Sequence, residues 1–474
     1  MRLLNLSVTA MVFFCFAAAG RENDSASAES KITVSGVVDF SMGEVVSGMY
    51  KAVTSPKGPD PNQTPQTVSH VWFGNPLARL NLEFQPTEKI AALVGFEGQV
   101  FINDFPAQLN TKLGSNGATP LLPQFMAWRL HQAQGIFSFI NSESATLSLS
   151  IGLMPYKYNP EVRNLGEFLF RTGTYPFFII NNFDFPLVRL TGACVHFSKA
   201  GENFGLSIDQ LVLTERDMPP MNDISLATIV GVNAFKIVDV GFGVDFAHLI
   251  SLDNGLTTPA AAKYPTGTGD TGAYTFKATK LMGRVTIDPV GRLRGGNSTV
   301  SSIFGENGGK VYGEIAVTGL KNYPASNVIL TGTDRMNPWG YTSIAERMPW
   351  MLGINVPLWK ILDVCALEIE KYPAPYPNDY YQAFMNKGLP IPTWQNNVRT
   401  NTDGYDSTLY RINQWYWSLY MKKQIFHHLS LICQVARDHM RWDVNTGNED
   451  DYATEEIMAK PHQWAWRAGF LFEF

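Results

Sequence analysis

The chain has 474 residues, a formal net charge of −5 and only 17% charged residues. With no basic excess, nucleic acid is not an expected partner. The 12% aromatic content, with 40 glycines and 28 prolines, points to many strands and turns and few long helices.

The N-terminus reads as an export signal. Arg2 precedes a largely apolar run from Leu3 to Ala19, with Val12-Phe13-Phe14-Cys15-Phe16 at its centre. Ala17-Ala18-Ala19 offers small residues for cleavage before Gly20, so residues 1–19 are assigned to a signal peptide. The competing reading is a membrane anchor; the run is short for one and its far flank is polar. The bulk of Val12, Phe13 and Phe14 before Cys15 argues against lipidation. Residues 20–30 are small and polar, a flexible leader. No later segment approaches the ~18 consecutive apolar residues of a spanning helix, so an exported chain is either soluble or a barrel. Cys194, Cys365 and Cys433 are far apart and odd in number, which gives neither a disulfide framework nor a metal spacing.

From Lys31 the pattern has a period of two. Ile32, Val34, Gly36, Val38, Phe40 and Met42 alternate with Lys31, Thr33, Ser35, Val37, Asp39 and Ser41, the mark of a strand with one apolar face. Residues 44–67, with their prolines and glycines, predict a loop. Ala78, Leu80, Leu82 and Phe84 then alternate with Arg79, Asn81 and Glu83. A polar turn at Gln85–Lys89 leads into Ile90, Ala92, Val94, Phe96, Gly98 and Val100, which completes a hairpin. Further strands are expected near 124–140, 144–154, 186–198, 203–214, 226–235, 236–250, 274–288, 309–320, 345–358, 360–372, 409–422, 425–438 and 462–474. Together they make about sixteen, an even number suited to a transmembrane barrel over residues 31–474.

The connections alternate in length. Those near 85–89, 141–143, 199–202, 235–236, 359 and 423–424 are short; those near 44–67, 104–123, 155–185, 251–273, 321–344, 373–408 and 439–461 are long. Short periplasmic turns and long extracellular loops are what an up-and-down outer-membrane barrel requires. Residues 289–308 break the rule, which predicts either a small hairpin there or a local slip in the count.

Several motifs carry no chemistry in their context. Gly267-Thr268-Gly269-Asp270-Thr271-Gly272 fits a phosphate-binding spacing but lies in a polar loop with no helix after it. His427 and His428 are adjacent, so on a strand they point to opposite faces; they mark a turn or strand start. No nucleophile or zinc-protease motif is present, so no enzyme, cofactor or metal is expected. Asn448-Glu449-Asp450-Asp451 with Glu455-Glu456 is a solvated acidic loop or a divalent-cation bridge to lipopolysaccharide.

Parity alone does not say which face of the strands is wet. Sixteen strands leave a lumen too wide for side chains to fill. Trp72-Phe73, Trp415, Trp417, Trp464 and Trp466 cluster near strand ends, as interfacial girdles do. The polar faces carry Arg79, Glu83, Glu97, Arg189, Asp209, Asp239, Asp245, Arg284, Glu314, Glu368 and Glu370 near mid-strand. An Arg or Lys facing lipid at the bilayer midplane costs about 2–4 kcal/mol, so these groups are expected to line a wet lumen.

The third long loop mixes Lys157, Glu161, Arg163, Glu167 and Arg171 with many aromatics. A loop this apolar packs somewhere. The expectation is the lumen, with a short helix from Val162 to Phe170; the alternatives are an extracellular lid or a subunit contact.

The last strand alternates Trp464, Trp466, Ala468, Phe470, Phe472 and Phe474 with Gln463, Ala465, Arg467, Gly469 and Glu473. With this ending, the strand rhythm and the export signal, the chain resembles a Gram-negative outer-membrane porin. Met154-Pro155-Tyr156 and Leu367-Glu368-Ile369-Glu370-Lys371-Tyr372 with Pro375-Tyr376-Pro377-Asn378 are also similar to stretches in outer-membrane proteins of Fibrobacter-type bacteria. The porin resemblance implies an inward third loop, contacts with outer-membrane lipid and lipopolysaccharide, and passage of small solutes. It also leaves a homotrimer open and makes Phe470, Phe472 and Phe474 a signal to the outer-membrane assembly machinery. It implies no particular selectivity, because the loop has no run of like charge. Two other functions stay open: a non-porin barrel for apolar solutes or surface structure, and a soluble secreted carbohydrate-binding β protein.

Overall fold

The computed structural model describes residues 30–50, 66–74, 76–103, 125–170, 188–214, 224–250, 263–266, 270–273, 278–294, 298–305, 308–317, 320, 344–356, 358–359, 361–372, 415–440, 458 and 461–474. The expected signal peptide, most of the leader, Arg171, the acidic stretch 448–456, the whole 373–408 loop and the first half of the glycine motif lie outside these residues.

Seventeen strands form one closed antiparallel sheet: β1 (Lys31–Tyr50), β2 (Gln66–Gly74), β3 (Leu77–Thr87), β4 (Ile90–Asn103), β5 (Phe125–Asn141), β6 (Ala145–Tyr156), β7 (Val188–Ala200), β8 (Phe204–Thr214), β9 (Ile224–Ala234), β10 (Val238–Ile250), β13 (Ala278–Ile287), β14 (Val311–Val317), β15 (Trp350–Asn355), β16 (Val364–Lys371), β17 (Trp415–Phe426), β18 (Leu429–Arg437) and β19 (Trp464–Glu473). A separate hairpin pairs β11 (Lys263–Thr266) with β12 (Asp270–Ala273). β2 and β3 both pair with β1 and both pair with β4. They are two halves of one crossing interrupted at Pro76, which has no N–H to donate to a ladder. The wall therefore has sixteen crossings, and β1–β19 pairing from Val37↔Glu473 to Ser47↔Trp464 closes it.

Alternation sorts the faces. Along β16, Val364, Ala366, Glu368 and Glu370 are buried, while Leu367, Ile369 and Lys371 are exposed. Exposed apolar side chains cover the outside of the wall, Phe40, Phe242, Leu352 and Phe470 among them at about half exposure (56%, 54%, 52% and 49%). A water-soluble protein does not leave such a continuous apolar surface bare; hydrocarbon is its natural neighbour. At the loop rim, Trp350–Trp415 and Trp72–Trp466 pack edge to face with centroids 5.4 and 5.5 Å apart. At the turn rim Phe204 packs edge to face on Phe235 with centroids 5.0 Å apart, and Phe472 lies tilted against Phe474 at 5.9 Å. Phe73 is the exception to the sequence reading: it is buried on the inner face.

Several boundaries differ from the sequence reading. The first strand runs on to Tyr50 and its partner starts at Gln66, so the 44–67 loop is shorter than expected. The turn expected at 423–424 falls at His427-His428, because the polar run Lys422-Lys423-Gln424 stays in the strand at its watery end. There Lys422 pairs with Glu473 and Lys423 with Asp363. Among its described residues, the connection 288–310 holds neither a hairpin nor a slipped strand. It contains two short helices, α1 (Gly291–Arg294) and α2 (Ser298–Phe304).

Gly152 and Gly192 face one another across β6 and β7 with φ of +133° and +150°. A Cβ on Gly152 would lie 2.1 Å from the Ala133 carbonyl oxygen. Gly152→Ala should cost about 1–3 kcal/mol from backbone strain alone, read as a lower unfolding midpoint in urea. Gly205→Ala, whose Cβ would meet nothing nearer than 3.7 Å, should leave the midpoint unchanged.

Candidate functional site: a loop latched across the lumen

β6 delivers the third loop from the fifth crossing. Its described residues, Lys157 to Phe170, end against β14, β15 and β16, six to eight crossings away around the wall. The segment therefore spans the inside of the barrel.

The fastening is made by backbone amides. Six consecutive N–H groups donate to three inward-facing carboxylates. Arg163, Asn164 and Leu165 donate to Glu368 at 2.6, 2.9 and 2.9 Å. Gly166 donates to Glu370 at 3.0 Å. Glu167 and Phe168 donate to Glu314 at 3.0 and 2.8 Å. Left-handed φ values at Gly166 (+91°) and Glu167 (+62°) turn successive amides toward the wall, as an anion-binding nest does. This is also why the helix expected over Val162–Phe170 does not form. The segment is a series of turns and bends, since amides given to carboxylates cannot also bond to carbonyls four residues back.

Side chains complete the latch. The Tyr158 hydroxyl donates to Glu314 at 2.5 Å and accepts the Leu169 amide at 2.8 Å. The Tyr312 hydroxyl donates to Glu368 at 2.8 Å, and His439 Nε2 lies 2.5 Å from Glu370. Glu167 turns back on the loop and accepts the Asn159 amide at 2.7 Å. Glu161 is held by Lys310 at 2.7 Å and Asn355 at 3.2 Å. Lys157 donates to the Val162 carbonyl at 2.7 Å.

Beneath the loop is a dry layer. Val162, Leu165, Phe168 and Leu169 are fully buried in one cluster with Leu190, Cys194, Leu211, Ile229, Met282 and Met351 of the wall. The loop thus fills the lumen beside β7–β9 and β13–β15 with apolar contacts.

The other lumen charges form cross-strand pairs. Arg79 is opposite Glu97 and bonds it at 2.6 Å, and Arg189 reaches the second Glu97 oxygen at 3.1 Å. Lys280 is opposite Asp245 at 3.4 Å. Arg284 pairs with Asp239. Arg467 meets Asp39 at 3.1 Å. His196, opposite Asp209, lies 2.5 Å from it, and Tyr156 donates to the same carboxylate at 2.7 Å.

The expected pore residues divide accordingly. Glu161, Glu167, Arg79, Glu97, Asp245, Glu314, Glu368 and Glu370 are buried; Lys157, Arg163, Arg189, Glu83, Asp239 and Arg284 keep contact with water. The latch gathers Glu314, Glu368, Glu370 and the loop into one place. Arg284, Asp239 and Glu83 stand apart from it. Tyr158, Tyr312, His439 and Lys310 are functional partners that sequence reasoning missed. Only Tyr312 carried a usable signal, as the same-face neighbour two residues before Glu314 on β14.

The architecture is a closed antiparallel barrel of sixteen crossings. The chain is similar over 94% of its length to a triple mutant of Rhodopseudomonas blastica porin, covering 100% of that chain at 7% identity and a TM-score of 0.35. It is similar to the outer-membrane channel DcaP of Acinetobacter baumannii (10% identity, 95% and 99% coverage, TM-score 0.38) and to Pseudomonas putida OprB (8%, 94% and 94%, 0.38). No protein-family profile and no curated protein sequence matches it.

Proposed function

We propose that this protein is an outer-membrane porin of a Gram-negative bacterium: a passive diffusion channel for small hydrophilic solutes or ions. The observation that carries this reading is the segment Lys157–Phe170, pinned across the lumen by Glu314, Glu368 and Glu370, with Lys157 and Arg163 left in contact with water. Such an arrangement narrows a wide barrel to a fixed aperture. Both signs of charge keep water contact, which favours weak ion selectivity. Lipopolysaccharide at the loop rim, recognition of Phe470, Phe472 and Phe474 by the assembly machinery, and a homotrimeric state belong to the same proposal.

Purified protein in planar bilayers should give stepwise conductance. Arg189→Glu should move the reversal potential in a salt gradient toward cation preference, since a solvent-reached cation becomes an anion. Confirmed insertion without conductance would sink the channel reading. One observation favours the competing reading of a barrel closed to solutes: Arg79, Glu97, Asp39, Arg467 and Glu370 all face inward yet are less than a tenth exposed. The same recordings decide between the two.

A further inference from the structure

The connection from β13 to β14 joins neighbouring strands, a task five of the other turns do in two or three residues; the β15–β16 turn, expected to be very short near 359, takes 356–363. It uses residues 288–310 instead. Its course is sideways along the turn rim. At one end the Gly291 backbone lies against the β9–β10 turn: a Cβ there would sit 2.4 Å from the Lys236 carbonyl oxygen, and the Asp288 amide bonds to the Ile237 carbonyl at 2.7 Å. At the other end the Ile303 carbonyl accepts the Trp359 amide of the β15–β16 turn at 3.0 Å. α1 and α2 therefore form a ledge that ties two turns together beneath β13, β14 and β15.

The ledge and its partner turn expose large apolar side chains: Leu293 at 55%, Trp359 at 65% and Ile361 at 70%. Trp359 holds a left-handed backbone, φ +48°, which a non-glycine residue adopts at a cost. These groups continue the bare apolar outer wall, where Val285 and Ile287 of β13 and Ile354 of β15 are exposed immediately before the strands end. They also sit at the level of the exposed rings Phe204, Phe235, Phe426 and Phe472 on the rest of the turn rim. Arg292 on α1 is exposed beside Leu293, a cation placed where lipid phosphates lie.

We propose that this ledge is a membrane foot: Leu293, Trp359 and Ile361 seat in the interfacial layer of the periplasmic phospholipid leaflet, with Arg292 at its phosphates. The occupant is lipid, because the patch is continuous with the lipid-facing wall and combines an indole, branched aliphatics and a basic residue, the mixture favoured at interfaces. The proposal rests on the reading of the barrel as membrane-spanning.

The test is spin-label depth measurement on the full chain in phosphatidylethanolamine/phosphatidylglycerol vesicles. Cys15, Cys194, Cys365 and Cys433 are replaced by Ala, and single labels are placed through Leu293→Cys, Ile361→Cys, Leu352→Cys and Glu88→Cys. Labels at 293 and 361 should be relaxed more by oxygen than by an aqueous nickel reagent, as the wall label at 352 is, whereas the turn label at 88 should show the reverse. If 352 lies in lipid while 293 and 361 behave as 88 does, the foot is wrong and a periplasmic protein becomes the alternative occupant. If 352 is itself aqueous, the membrane-spanning reading has failed and the foot falls with it. The two ledge positions report separately, so a label that perturbs one is caught by the other.

Discussion

Glu368→Ala should free the third loop while leaving the barrel folded. Three consecutive amides, those of Arg163, Asn164 and Leu165, and the Tyr312 hydroxyl would lose a buried anionic acceptor. Each buried donor left unmet costs about 1–3 kcal/mol. The loop would thus lose several kcal/mol of attachment, enough to reverse a two-state preference. The wall ladder around residue 368 uses backbone groups and is untouched. The expected result is rapid protease cleavage within residues 157–170, altered and noisier single-channel conductance, and an unchanged heat-induced gel shift of the barrel. Glu368→Gln should be nearly as damaging, because its amide nitrogen presents donors to donors. A loop in Glu368→Ala that resisted protease like the parent would show that the apolar layer of Val162, Leu165, Phe168 and Leu169 suffices alone. Tyr158→Phe is a milder comparison: it removes one donor and one acceptor, about 2–4 kcal/mol in all.

Deleting Phe474 should strike assembly and spare the aperture. The residue closes the seam of the barrel. Its amide donates to the Gly36 carbonyl at 3.0 Å, and its carbonyl accepts the Gly36 amide at 2.8 Å. Its ring lies so near Gly36 that a Cβ there would come within 2.4 Å of Cζ. The deletion removes two seam hydrogen bonds and an aromatic from the turn-rim girdle. The expected outcome is a large drop in the heat-modifiable folded fraction recovered from membranes, with normal conductance in the molecules that do insert. Normal recovery of the truncated chain would remove Phe474 from any role in assembly. Gly36→Val offers a second view of the same seam, since its side chain would collide with the Phe474 ring.

The sequence carries the barrel plainly because its signal is repetitive. A period of two, repeated sixteen times between alternately short and long connections, states strand, face and topology together. It also places Glu314, Glu368 and Glu370 on the inner face by parity. What they do there is not written locally. Three of the Glu368 contacts join residues more than 200 positions apart, and their donors are backbone amides, which leave no trace in side-chain pattern. For the same reason the Val162–Phe170 segment resembles a helix in isolation: its own carbonyls lose the competition to carboxylates supplied by the far wall. The connection 288–310 misled for a different reason. Its length and its glycines and serines suggest a hidden hairpin or a slipped count, while Val290, Leu293, Val300 and Ile303 are too few and too broken to announce two short helices.

The latch on residues 163–168 grips what every amino acid except proline possesses. Attachment and aperture are therefore separable properties of this chain. Substitutions at Arg163 and Asn164 leave the six amide bonds to the wall in place and give up the Asn164–Asp438 side-chain bond at 2.7 Å, provided the glycine at 166 and the apolar underside are kept. If the proposed channel function holds, a barrel built this way is an interchangeable sieve: one mounting, many meshes. A small library at positions 163 and 164 should yield channels that differ widely in what they pass and hardly at all in how firmly they fold.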